Sequence, residues 1–225
     1  MKRILRSWSI RCLLFMALIL GLTTPWVHEA RAETKLSLAI LPFFIQRGED
    51  PGRGAVCPLC KGVYRSGEIL PKGQNILTRL LYQKIDAMGT FKVLPLERVE
   101  ETLSHGDKRR FEEKPIASSI QLGRELDVDF LFVGFLFRFE ERIGSSIGAE
   151  KPASVGFDLH LLRLRDDRMV WGGKFDETQR PLSENLLKIG SFLRRKASWL
   201  TAEELAGVGM DEMLTRFPGP KELEE

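Results

Sequence analysis

The stretch Asp127–Glu141, DVDFLFVGFLFRFEE, constrains the fold more than any other part of the chain. Seven apolar residues, most of them aromatic or branched, run from Phe130 to Phe137 with only Gly134 between them. A run so short and so apolar reads as a strand buried on both faces, at the centre of a sheet covered by helices. After Phe137 the pattern becomes alternating (Arg138, Phe139, Glu140), which predicts that one face emerges into water near the strand's end.

The segments around this strand read as α/β. Leu36–Phe44 is a second continuous apolar run, with Pro42 at an edge or where pairing stops. Gln74–Met88 places Leu77, Leu80, Leu81, Ile85 and Met88 on one helical stripe, stopped by Gly89. A short strand at Phe91–Leu94, a helix at Leu96–Leu103 and a helix at Ile116–Leu126 follow. In Val155–Leu162, Val155, Phe157, Leu159 and Leu161 alternate with Gly156, Asp158, His160 and Leu162. Met169–Phe175 returns from a polar turn at Arg165–Arg168, forming an antiparallel hairpin with one apolar face. Leu182–Arg195 and Ala202–Phe217 read as helices, the second opened by Thr201 with Glu204 three residues on. The expected fold is a mixed α/β (α+β) sheet: parallel strands linked by helices, an antiparallel hairpin appended, helices covering the sheet.

The first 32 residues read as a secretory signal peptide. Lys2, Arg3, Arg6 and Arg11 precede an apolar stretch from Cys12 to Leu22, and Ala30-Arg31-Ala32 supplies a small-x-small cleavage signal. Cys12 lies at the start of the apolar core, the wrong place for lipid attachment. The 225-residue chain carries 34 basic and 31 acidic residues; five of the basic and one of the acidic lie in the signal. The remaining 29 and 30 give a net charge of −1, so the apparent basicity belongs to targeting and does not point to nucleic acid. Residues 33–217 form one domain and 218–225 a frayed tail. The location expected for the mature chain is the periplasm.

Within that domain, residues 45–73 form a long Gly- and Pro-rich loop, of the length that is usually functional or disordered. It carries Cys57-Pro58-Leu59-Cys60, which supports four readings. A local disulfide asks least of the chain and suits an oxidising compartment. Half a tetrahedral zinc site needs two more ligands, with His105 and His160 or a second protomer to supply them. A thioredoxin-type redox pair belongs at a helix start just after a strand, and this pair is more than ten residues from one. A c-type haem site needs His where Lys61 stands. Asp158 and His160 share a strand face and read as the solvated side of the hairpin. His105 has no visible partner, Ser118-Ser119 and Ser145-Ser146 lack a nucleophile turn, and Gly52-Arg53-Gly54 is not a phosphate loop. Asp107–Lys114 reads as a solvated charged loop. No catalytic residue and no resident cofactor is expected, zinc or haem being the alternatives at Cys57 and Cys60.

Several of these motifs have a familiar form. Ala39-Ile40-Leu41-Pro42-Phe43 resembles the opening strand of the TolB amino-terminal domain and of CsgG- and LpoB-type envelope proteins. Thr78–Leu94 resembles their helix running into Gly-x-Phe-x-Val, and Leu122–Asp129 followed by Gly134 resembles their approach to the central strand. Leu161–Trp171 resembles their hairpin. The resemblance covers residues 36–190. It implies a non-enzymatic module of the bacterial envelope that binds partner proteins, associates with the outer membrane or self-assembles into homo-oligomers. The chain departs from that family in lacking a lipid-attachment Cys, a following propeller and membrane-spanning hairpins.

Parallel-sheet ligands favour the crevice beyond the strands' carboxyl ends. The expected interaction surface therefore combines residues 45–73 with Arg138, Glu141 and Arg142. Export predicts cleavage after Ala32, leaving Glu33 as the amino terminus in the mass spectrum of the mature protein; a membrane-bound product retaining Met1–Ala32 would contradict it.

Overall fold

In the computed structural model, the central strand is β6 (Phe130–Glu140), and every residue from Phe130 to Phe139 is buried. The structure describes residues 35–48, 54–104, 111, 113–180 and 198–224, all within one unit, Lys35–Glu225. The signal segment, His105, Arg109, Arg110 and the helix expected at Leu182–Arg195 lie outside the described residues.

β1 (Ser37–Ile40) and β2 (Phe44–Ile45) both pair parallel to β6, and Pro42 occupies the break between them. β5 (Lys92–Val93) pairs parallel to β1. β9 (Ser154–Arg163) and β10 (Arg168–Thr178) form the appended hairpin, with β9 antiparallel to β6. The sheet runs β10-β9-β6-β1-β5, with β2 alongside β6. The mixed α/β sheet expected from the sequence is therefore the fold.

Both faces are covered. On one, Leu38, Ile40, Phe132, Phe157, Leu159 and Leu161 pack against α1 (Gly73–Met88) and α4 (Ala202–Leu214). Gly89 ends α1 in the left-handed region at φ 65°, where glycine alone carries no Cβ penalty. Thr201 and Glu204 form the capping box that opens α4. On the other face, Ala39, Leu131, Val133, Phe135 and Phe137 pack against α2 (Leu96–Ser104) and α3 (Pro115–Glu125). Beyond those helices the cover is a small hairpin, β3 (Ala55–Val56) and β4 (Val63–Tyr64), which lies inside the long loop. The 45–73 segment is thus partly built into the domain: Ile69 bridges Phe139, and Tyr64 stacks on Phe137 with ring centroids 3.9 Å apart. A second small hairpin, β7 (Ile143–Gly144) and β8 (Ala149–Lys151), follows β6.

Two sequence expectations are corrected here. The end of β6 does not emerge into water: the register shifts between Leu136 and Arg138, and Arg138 is only 2 % exposed. Its guanidinium donates to Ser154 Oγ at 2.6 Å and to the Arg65 carbonyl at 2.7 Å, and pairs with Asp176 at 2.7 Å, so the charge is compensated inside the protein. A bulge that re-aims one side chain explains why alternation misled. Nor is the described part of the tail, up to Glu224, frayed. It forms α5 (Pro220–Glu224), buries Leu223, and offers the Leu223 carbonyl to the buried Arg163 at 2.9 Å. Among the described residues, no helix is long and apolar enough to cross a membrane.

Gly134 lets the Phe43 ring lie flat on β6: an added Cβ would meet that ring at 2.6–2.8 Å. Alanine in a strand is ordinarily better than glycine by roughly 0.5–1 kcal/mol. Here the overpacking dominates, so Gly134→Ala should lower stability by about 1–3 kcal/mol in urea denaturation, and an unchanged or raised midpoint would contradict the packing described.

Candidate metal centre

The column of alternate side chains on β9 that faces the cysteine hairpin includes Asp158 and His160. Period-two alternation places them together, as the sequence predicts, but the β3–β4 hairpin lies over them. Asp158 is 0 % and His160 2 % exposed, so they do not form a solvated face.

The cysteine hairpin is shaped around its two sulfurs. Pro58–Cys60 turns between β3 and β4, Cys57 N–H donates to the Gly62 carbonyl at 2.9 Å, and Lys61 N–H donates to the Cys57 carbonyl at 3.1 Å. Lys61 takes the left-handed conformation at φ 60°, and its ammonium donates to the Pro58 carbonyl at 2.9 Å. That geometry turns amides onto sulfur. Cys60 N–H points at Cys57 Sγ, and Gly62 N–H at Cys60 Sγ, each at 3.4 Å. Donors aimed at sulfur favour thiolate over thiol, as a metal ligand requires.

The hairpin and β9 bring four donor atoms to one point. Cys57 Sγ is 3.3 Å from His160 Nε2, Cys60 Sγ is 3.7 Å from Asp158 Oδ2, and Nε2 is 3.2 Å from Oδ2. All four ligand atoms lie within 4.8 Å of one another. Ligands bound tetrahedrally to zinc at about 2.0 Å (N, O) and 2.3 Å (S) stand roughly 3.3–3.8 Å apart, so the set is already close to that spacing. Two atoms are left over: Asp158 Oδ1 and His160 Nδ1 are buried without a hydrogen-bond partner. Buried polar atoms are ordinarily paired, so this pocket is electrostatically incomplete. Burial, and next the neighbouring Asp158 carboxylate, push the Cys57 thiol well above its usual range, against the amides of Cys60 and Leu59 that pull it down. The same two causes hold the Tyr64 phenol protonated. A divalent cation between these groups would counter the Asp158 charge and take the proton's place on sulfur.

The disulfide expected for Cys57 and Cys60 is not formed; both are free cysteines, Cys57 buried and Cys60 exposed. The redox-helix reading fails on placement, since the pair sits in a hairpin turn. For the haem reading, Cys57 is fully buried against β9. The zinc reading needed two further ligands. His160 is one of those proposed; Asp158 is the one sequence reasoning missed. The signal was present as two same-face donors two residues apart plus a Cys-x-x-Cys, provided a carboxylate is counted as a ligand.

The expected interaction residues are distributed differently. The loop does lie beside the carboxyl end of β6, with the Leu70 amide on the Phe139 carbonyl at 3.1 Å. Arg138, however, is internal. Glu141 is half-buried and accepts from the first amide of α4, Ala202 N–H, at 3.0 Å, and Arg142 donates to the Trp199 carbonyl. The crevice beyond β1 and β2 is a cavity of about 750 Å³ lined by Phe44, Phe111, Phe135, Gln74 and Glu100, touching the cysteine turn through Pro58.

No family model matches the chain, and no curated protein matches it. Among solved structures it is similar to the PelC dodecamer from Paraburkholderia phytofirmans (10 % identity, 81 % of this chain and 86 % of that one, TM-score 0.44). It is similar also to lipoprotein GNA1162 from Neisseria meningitidis (11 %, 72 % and 96 %, TM-score 0.43). A third is the LpoB C-terminal domain from Salmonella enterica (12 %, 67 % and 88 %, TM-score 0.41). TolB and CsgG are not among these three. With TM-scores below 0.5, none of these likenesses bears on what this chain does.

The exposure difference between the two cysteines has a direct readout. In reduced, metal-free protein, iodoacetamide should alkylate Cys60 at least about tenfold faster than Cys57, as peptide mass spectrometry would show; equal rates would mean that the hairpin is not seated on β9.

Proposed function

We propose that this chain is an exported, non-enzymatic binding or assembly module of the bacterial envelope, and that its functional centre is a zinc(II) site formed by Cys57, Cys60, Asp158 and His160. One observation carries the metal reading: two segments about a hundred residues apart converge on a buried point with four suitable donor atoms. Two sulfurs and an imidazole favour zinc over calcium or magnesium, which take oxygen ligands. Four protein ligands close a tetrahedral site and leave no open position for a substrate, so the site is structural. The exported setting rests on the signal-like start and on the envelope-protein resemblance of the opening strand.

Zinc here would tie the cysteine hairpin to β9, acting as a cross-link between the long loop and the sheet. Reduced protein should bind zinc one to one. Cys57→Ser and His160→Ala should each weaken binding by more than the roughly 10–100-fold that loss of an outer-shell partner costs. Cys60 is exposed, so Cys60→Ser should fold and still lose affinity, separating metal loss from misfolding. Metal-free protein after reducing purification with zinc, or undiminished affinity in Asp158→Ala, would overturn the four-ligand site.

A further inference from the structure

We infer that the zinc centre is redox-gated: a disulfide-bearing oxidant converts Cys57 and Cys60 to a disulfide, expels the metal and unlatches the cysteine hairpin from β9. This rests on the zinc reading and adds its regulation. The two sulfurs belong to one turn, three residues apart in sequence, and lie within 4.8 Å of each other. Closing them to a bond of about 2.05 Å needs movement within that turn, and both thiolates are then consumed. Metal and disulfide are therefore alternative occupants of the same pair.

The accessibilities set the order of steps. Cys60 is exposed and Cys57 is 0 % exposed, so attack starts at Cys60. The Cys60 thiolate attacks one sulfur of the oxidant, breaking its S–S bond and releasing one small thiolate. Cys57 then attacks Cys60 Sγ in the mixed disulfide, releasing the second. Two electrons pass from the cysteine pair to the oxidant, which leaves as two thiolates, and Zn²⁺ departs to solvent.

The structural consequence is local. Closing the disulfide removes the metal and also takes both thiols from their contacts with His160 and Asp158, which seat the hairpin tip while the cysteines are reduced. The far side of the hairpin keeps other attachments: Arg138 on the Arg65 carbonyl, the Arg65 amide on Asp176 at 3.3 Å, and Lys174 on the Val63 carbonyl at 3.2 Å. Release should thus loosen Ala55–Gly62 and leave the sheet intact. The exported environment assigned from the sequence supplies oxidants of this class.

The test uses the full mature chain, reduced and loaded with zinc, treated with oxidised glutathione. Metal content before oxidant is added checks the zinc reading separately; if no zinc is bound then, that reading fails and this inference with it. With zinc bound, one Zn²⁺ should be released to a colorimetric chelator for each Cys57–Cys60 disulfide found by peptide mapping. Dithiothreitol and zinc should restore the starting state. Amide exchange should quicken in Ala55–Gly62 and not in β6 or β9. Cys57→Ser should accumulate a glutathione adduct on Cys60, and Cys60→Ser should form none on Cys57. Zinc retained under conditions that oxidise a control dithiol peptide, or zinc released without the intramolecular disulfide, would overturn the gating.

Discussion

The burial of β6 on both faces is the constraint from which the rest of the structure follows. A strand with Phe132 and Leu136 on one side and Val133, Phe135 and Phe137 on the other cannot leave either face to water. Helices α1 and α4 close the first side. On the second, α2 and α3 reach only part of the sheet, and the remainder, including the column bearing Asp158 and His160, is closed by ten residues of hairpin, Ala55–Tyr64. Such a short two-stranded piece is not stable by itself.

Of the hairpin's own side chains, only Ala55, Cys57 and Tyr64 are fully buried. Its tip meets β9 through the Cys57–His160 and Cys60–Asp158 contacts. The proposed zinc ion would cross-link those same groups and counter the charge of Asp158, a carboxylate with no exposure to water.

Local physics made much of the fold legible. The apolar run of β6, the stripe and glycine stop of α1, the capping box of α4 and the alternation of β9 each depend on residues within one element. What the sequence hid depends on distant partners. Asp158 and His160 read as solvent-facing because alternation reveals a face but not what lies over it; their cover comes from about a hundred residues earlier in the chain. Arg138 read as a surface charge because a bulge and a buried acceptor set cannot be seen in the pattern. Leu223 in the acidic tail gave only one apolar residue as a sign of docking. The cysteine pair was legible as a feature, and its meaning was not, since Asp158 was counted as surface rather than as a ligand.

The most direct measurement is zinc K-edge X-ray absorption on the reduced, zinc-loaded protein. The proposed site predicts a four-coordinate spectrum with two sulfur scatterers at about 2.3 Å and two nitrogen or oxygen scatterers at about 2.0 Å, one of them carrying the multiple-scattering signature of imidazole. Removal of His160 should erase that signature. A first shell of four sulfurs, which would require a second copy of the chain, or a shell with no sulfur at all, would contradict the Cys57–Cys60–Asp158–His160 centre.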